Sequence, residues 1–215
     1  YQAEDSCGNT TTCQQIITVN DSIAPAISCP ANVTVACITD VPAPDISTVV
    51  AADNCGTPVI TWVGDSWAGN CPRIITRTYQ AEDSCGNTTT CQQIITVNDS
   101  IAPAITCPAN VTVACITDVP PPDISLVTAT DNCGVAVVTY LSDAWSGICP
   151  RVITRIYQAT DSCGNTSTCA QIITVNDSIA PTITCPANVT VACVTDVPAP
   201  DITLVTASDN CGTPV

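Results

Sequence analysis

The stretch YQAEDSCGN at 1–9 returns unchanged at 79–87 and, with one exchange, as YQATDSCGN at 157–165. Working outward, the first 22 residues are identical to residues 79–100, so the chain repeats with a period of 78 residues. The cysteines keep the same register: Cys7, Cys85 and Cys163; Cys13, Cys91 and Cys169; Cys29, Cys107 and Cys185; Cys37, Cys115 and Cys193; Cys55, Cys133 and Cys211; Cys71 and Cys149. A strict period without insertions implies equivalent units placed end to end. The NDSIAP segments at Asn20, Asn98 and Asn176 read as short linkers of proline and small polar residues. Complete units are therefore expected at 23–100 and 101–178. Residues 1–22 form the C-terminal part of another unit, and residues 179–215 the N-terminal part of one more. The two flanks together fall 19 residues short of one period, so a window cut from a longer chain is expected rather than two halves of one domain.

Composition narrows the class. Seventeen cysteines point to an oxidising compartment, extracellular or at a cell surface. The only basic residues are Arg73, Arg77, Arg151 and Arg155, and a net charge of -15 excludes nucleic acid as a partner. No apolar run is long enough to span a membrane, and no leader pattern precedes Tyr1. Without histidine or lysine there is no Ser-His or Cys-His nucleophile, no Schiff base and no P-loop, so the chain is read as no enzyme and as having no organic cofactor.

Apolar and polar residues alternate in short runs between Pro, Gly, Asn and Asp, which is the strand pattern, and no helical period appears. Cys29, Ala31, Val33, Val35 and Cys37 share one face of a first strand. Ile60 and Trp62 share a face of a middle strand, and Cys91, Gln93, Ile95 and Val97 a face of the last. About seven strands per unit give an all-β fold: tandem immunoglobulin-like Greek-key β-sandwiches with three disulfides per unit. So small a core needs such covalent help. With Cys29 at the top of the first strand, Cys37 lies at the bottom, about 26 Å away at about 3.3 Å per residue. Cys71 is the other bottom cysteine, so Cys37 is expected to pair with Cys71, and Cys115 with Cys149. Of the three pairings open to the four cysteines at the top, Cys29 with Cys91 and Cys55 with Cys85 are favoured. In the next unit these become Cys107 with Cys169 and Cys133 with Cys163. Zinc is disfavoured because no CxxC pair and no histidine exist.

Together the segments DNCG, a following CP, YQAEDSCGN, CQQIITV, NDSIAP and CPANVTVAC resemble the hyalin-repeat (HYR-like) immunoglobulin-like modules. In this cysteine-rich form they are similar to the repeats of very large Bacteroidota surface proteins, gliding-motility adhesins among them. The resemblance covers the whole chain and implies a stalk or filament at the cell surface.

Calcium at the joints is the sharpest chemical expectation. The linker aspartate of one unit enters the top of the next, where the DNCG and DSCGN loops sit. That gathers Asp21, Asp53, Asp83 and Asn87 for the first unit, and Asp99, Asp131, Asp161 and Asn165 for the second. Hard oxygen ligands from three segments suit Ca2+. The competing reading makes the same residues turn formers. Asn32, Asn110 and Asn188 lie in NVT sequons. In a Bacteroidota protein the DSI triplets resemble an O-glycosylation motif and point to Ser22, Ser100 and Ser178. The paired arginines are expected to meet carboxylates on adjacent strands or units, with anion binding the alternative. Trp62, replaced by Tyr140 in the next copy, is read as core filling. Trp67 and Trp145 are read as packing over the sandwich edge, with sugar stacking the alternative. The expected function is a structural subunit or stalk whose partners are neighbouring repeats or copies of itself. The alternatives are an adhesive, glycan-binding array and a pilus-like fibre assembled by strand exchange.

Overall fold

The computed structural model describes residues 1 to 214. Two compact units divide them, Tyr1–Asp99 and a second beginning at Ser100. The first unit opens on an exposed hairpin of β1 (Gln2–Glu4) and β2 (Thr10–Thr12), paired from Gln2 with Thr12 to Glu4 with Thr10. It continues into six strands: β3 (Ala26–Ser28), β4 (Val33–Val35), β5 (Val50–Ala52), β6 (Val59–Ala68), β7 (Arg73–Glu82) and β8 (Thr88–Val97). They form two sheets, β3 with β5, and β4-β8-β7-β6. β4 runs parallel to β8, in register Val33 with Ile95 to Val35 with Val97, while β8, β7 and β6 are antiparallel. This is the immunoglobulin-like arrangement in which the first strand is shared between both sheets.

The first strand is therefore not the continuous run from Cys29 to Cys37 that alternation suggested. Pro30 follows β3 and has no amide to donate, so the ladder cannot continue through it. The Asn32 side-chain Oδ1 fills the gap by accepting the Ile94 N–H at 2.8 Å. Six strands stand where about seven were expected. Two single 3₁₀ turns, Ile38–Asp40 and Ile46–Thr48, occupy the stretch between β4 and β5. Asp40 Oδ2 accepts the Cys37 N–H and Asp45 Oδ1 accepts the Ser47 N–H, so each turn is closed by its own aspartate.

On β7 the buried side chains alternate as Ile75, Arg77, Tyr79 and Ala81, and on β8 as Gln93, Ile95 and Val97. Ile75, Ile95 and Val97 form the core, with Val33, Val35 and Val41 packed against them. β3 lies over β7 and β8. The polar members of these faces are all satisfied. Arg77 donates Nε and Nη2 to the two Asp65 carboxylate oxygens at 3.0 and 2.8 Å, and Nη1 to the Pro42 carbonyl. Gln93 Nε2 donates to the Ala31 carbonyl at 2.7 Å, and Tyr79 OH accepts the Asp45 N–H. Arg77 thus meets a carboxylate on the adjacent strand, as the sequence suggested. Trp62 is not core filling: it is 47% exposed, and its indole N–H donates to Asp65. The buried aromatic is Tyr79 on the next strand.

The second unit repeats the pattern with β9 (Ala104–Thr106), β10 (Val111–Val113), β11 (Thr128–Thr130), β12 (Val137–Ser146), β13 (Arg151–Thr160) and β14 (Thr166–Val175). β9 pairs with β11, and the second sheet runs β10-β14-β13-β12. Arg155, Asp143 and Pro120 reproduce the buried ion pair and its carbonyl contact. Among the described residues from 179 on, β15 (Thr182–Thr184) and β16 (Thr206–Ser208) pair antiparallel, with the 3₁₀ turns Val194–Asp196 and Ile202–Leu204 between them. No helix among the described residues is long and apolar enough to cross a membrane.

Candidate carboxylate site and disulfide framework

The DSCGN turn that joins β7 to β8 is built by Asp83. Its Oδ1 accepts the N–H groups of Cys85 and Asn87 at 2.8 and 2.9 Å, and its Oδ2 accepts Asn87 Nδ2 at 2.7 Å. Gly86, at φ +88°, supplies the left-handed step that closes the turn. The same bonds form around Asp5 in the exposed hairpin, so this geometry is local. In the DNCG loop Asp53 Oδ2 accepts the Cys55 N–H at 2.9 Å. In the linker Asp21 Oδ1 accepts the Ile23 N–H at 3.0 Å, and Asn54 Nδ2 reaches both Asp21 oxygens at 3.4 Å. Asn87 Nδ2 also donates to the Asp21 carbonyl at 3.1 Å, tying the turn to the linker.

These three local motifs bring one carboxylate oxygen each from Asp21, Asp53 and Asp83 within 4.8 Å of one another. Asp21 is 8% exposed, and the buried Asp53 Oδ1 has no hydrogen-bond partner. The Ile23 amide holds the Asp21 carboxyl below the usual range, although Asp83 opposes this, and the Asn87 side chain does the same for Asp83. Three carboxylates thus converge here with one buried oxygen unmatched, a donor set of the hard-oxygen type.

In the second unit Asp161 holds Cys163 and Asn165 through the same bonds, and Asp131 Oδ2 accepts the Cys133 N–H while its buried Oδ1 has no hydrogen-bond partner. Asp99, equivalent to Asp21 by the period, is 5% exposed and closes the first unit. Sequence reasoning missed Asn54, which contacts Asp21, and also Asp177 and Asp209. Asp177 accepts Asn210 Nδ2 at 3.3 Å, and Asp209 Oδ1 is another buried oxygen with no hydrogen-bond partner. The period was the available signal: Asp177 and Asp209 stand two periods beyond Asp21 and Asp53.

Disulfides join Cys29 to Cys91 and Cys107 to Cys169, with Cα atoms 5.6 Å apart in both. Each ties the end of β3 or β9 to the last strand of its repeat. Cys37, Cys71, Cys133 and Cys163 are half-cystines too. The expected bond between Cys115 and Cys149 is absent. Cys115 bonds Cys211, and Cys149 is a thiol. The physical reason is the linker: Asn176 donates its N–H to the Val113 carbonyl, which holds the start of the next repeat against β10 and brings its DNCG loop to Cys115. The expected Cys55 to Cys85 bond is also absent, and both are exposed thiols. They sit in separate aspartate-closed turns, and a hydrogen bond to Asp21 holds the Cys55 thiol protonated above its ordinary range.

Of the remaining sequence candidates, Ser22, Ser100 and Ser178 are exposed. Asn32 and Asn110 use Oδ1 to accept a strand N–H, and Asn188 is exposed. Trp67 and Trp145 are 54% and 53% exposed, with the Arg151 guanidinium 6.0 Å above the Trp145 ring.

Fold and framework together define tandem β-sandwich modules that carry internal disulfides and carboxylates gathered from linker and loops. Residues 25–97 and 103–175 each match the HYR-like domain with 4 cysteines, and the chain belongs to that family. Each matched segment here holds six cysteines. Among solved structures the chain is similar to protocadherin gammaB7 EC3-6, a cis-dimer structure, at 14% identity and a TM-score of 0.32. That likeness covers 86% of this chain and 60% of the other, so the chain spans about three-fifths of that structure's length. No curated protein matches the chain.

Proposed function

We propose that the chain is a section of an extracellular cell-surface array whose task is mechanical, a disulfide-stapled spacer or stalk subunit without catalytic activity. Its repeats are 23–100 and 101–178, flanked by parts of two more at 1–22 and 179–215. A Bacteroidota surface protein of the gliding-adhesin type is the setting that fits this reading. The observation that carries it is the strict 78-residue repetition, in which 22 consecutive residues recur unchanged. Neighbouring repeats and copies of itself are the partners such a rod requires, and glycans on Ser22, Ser100 and Ser178 would shield its exposed linkers.

Calcium completes the reading. Asp21, Asp53 and Asp83 supply oxygens to one ion, and their equivalents Asp99, Asp131 and Asp161 supply a second. Asn87 and Asn165 serve as donors that fix Asp83 and Asp161. The oxygen of Asp53 that lacks a hydrogen-bond partner supports this fit. The test is thermal unfolding of the intact chain with calcium and then with excess chelator. A ligand at 100 times its Kd adds about 2.7 kcal/mol, so chelation should lower the melting temperature by several degrees, reversibly with calcium and not with magnesium. An unchanged curve would assign these aspartates to turn formation alone.

The exposure of Trp62, Trp67 and Trp145 favours a second reading, glycan binding multiplied along the array. Saturable binding on a glycan array, abolished by Trp67→Ala and Trp145→Ala, would replace the spacer reading.

A further inference from the structure

The bond between Cys115 and Cys211 joins the repeat 101–178 to the repeat that follows it, because Cys211 belongs to the DNCG loop two periods beyond Cys55. Its sequence separation of 96 exceeds one period, whereas the bonds of Cys29 and Cys107, at separation 62, stay within a repeat. Cys149 lines the same pocket as Cys115 and Cys211, and its thiol lies 3.9 Å from the Asp177 carbonyl. One period earlier Cys71 Sγ stands 3.8 Å from Asn98 Oδ1, so each CP cysteine rests against the linker that leads to the next repeat.

We propose that consecutive repeats are covalently joined: the cysteine before the ITD turn of one repeat bonds the DNCG cysteine of the next, as Cys115 bonds Cys211. Ninety-six residues beyond Cys37 the sequence again holds a DNCG cysteine, Cys133, and both are half-cystines. The two half-cystines left over, Cys71 and Cys163, then form a second staple at the same joint, from the CP cysteine to the DSCGN cysteine 92 residues on.

The seven thiols obey the rule. Counting 62 residues back from Cys13 or on from Cys185, 96 back from Cys55 or on from Cys193, and 92 back from Cys7 and Cys85 or on from Cys149, every count leaves residues 1–215. Each bond forms when two thiols lose two protons and two electrons to a disulfide oxidant of the compartment. The reading rests on the Cys115 to Cys211 bond and the repeat pattern, so it stands or falls separately from calcium binding and from the spacer role.

The test is a disulfide map of the intact chain, alkylated without reduction and digested with pepsin at acid pH, where thiolate exchange is suppressed. Linked peptides joining Cys115 to Cys211, Cys37 to Cys133 and Cys71 to Cys163 are expected. Peptides joining Cys37 to Cys71 or Cys115 to Cys149 would overturn the proposal. The Cys149→Ser variant removes only a thiol, so Cys115 should remain unalkylated in it. If Cys115 becomes fully alkylated, its partner was Cys149 and the staple between repeats does not exist.

Discussion

Replacing Asp65 with Ala tests what holds each sandwich together. The change deletes two charge-assisted hydrogen bonds, at 3.0 and 2.8 Å, from a guanidinium on a residue only 3% exposed. The Pro42 carbonyl, at 2.8 Å from Nη1, remains as a partner but carries no charge to replace the carboxylate. A buried charge left without its counter-ion costs about 3–5 kcal/mol. That is a large share of the roughly 5–15 kcal/mol that stabilises a typical domain. At about 4–8 °C per kcal/mol for a domain this small, melting should fall by on the order of 20 °C. The second unit keeps its own pair, Arg155 with Asp143, so circular dichroism with disulfides intact should show two transitions, the upper near the unmodified temperature. The double change Asp65→Leu with Arg77→Met leaves no lone charge and should recover most of the loss. The pair also sets an acid limit. Arg77 holds the Asp65 carboxyl below its usual 3.8, so this stability is fully present above that value and is lost as pH falls through the lower folded one. The variant's first transition should therefore depend less on pH below about 4. A loss under about 1 kcal/mol, the scale of an exposed ion pair, would mean that burial adds nothing to this pair.

Gly69 sits at φ +74° in the turn between β6 and β7, and a Cβ there would meet the Pro72 carbonyl oxygen at 2.6 Å. Gly69→Ala should destabilise the first repeat by about 1–3 kcal/mol in urea titration, with Gly147→Ala doing the same to the second. Removing the bond between Cys29 and Cys91 by paired serine substitutions frees a loop of sequence separation 62 and should cost about 4 kcal/mol by calorimetry. Asn32→Ala orphans the Ile94 N–H and should cost about 1 kcal/mol in the same titration, with hydrogen exchange at Ile94 accelerated.

Period, strand content and the positions of the carboxylates were legible in the sequence because they depend on local chemistry. The DSCGN turn shows this: Asp5 and Asp83 make the same bonds in a lone hairpin and in a complete sandwich. Burial was not legible in the same way. Cys29, Ala31, Val33, Val35 and Cys37 alternate as one face, yet Ala31 is exposed while Cys37 is buried. β3 ends before Pro30 and β4 begins only at Val33, so Ala31 lies in neither strand. The partner of Cys115 escaped prediction for a related reason. Strand direction sorts cysteines to the ends of one repeat, but whether an end meets its own loops or its neighbour's depends on how the linker is held, here by the Asn176 to Val113 bond. Trp62 misled because alternation cannot tell the two faces of β6 apart when one of them carries Asp65.

The parallel pairing of β4 with β8 has a consequence under load. Tension applied to the two ends of a repeat pulls these neighbours along their length in opposite senses, so their hydrogen bonds are sheared together rather than peeled one at a time. Before those bonds can yield, the load meets the link between Cys29 and Cys91, which carries it past the residues between. A stretched repeat can therefore pay out only the residues outside that link, among which Ile95 and Val97 are the core members that stay in the line of force.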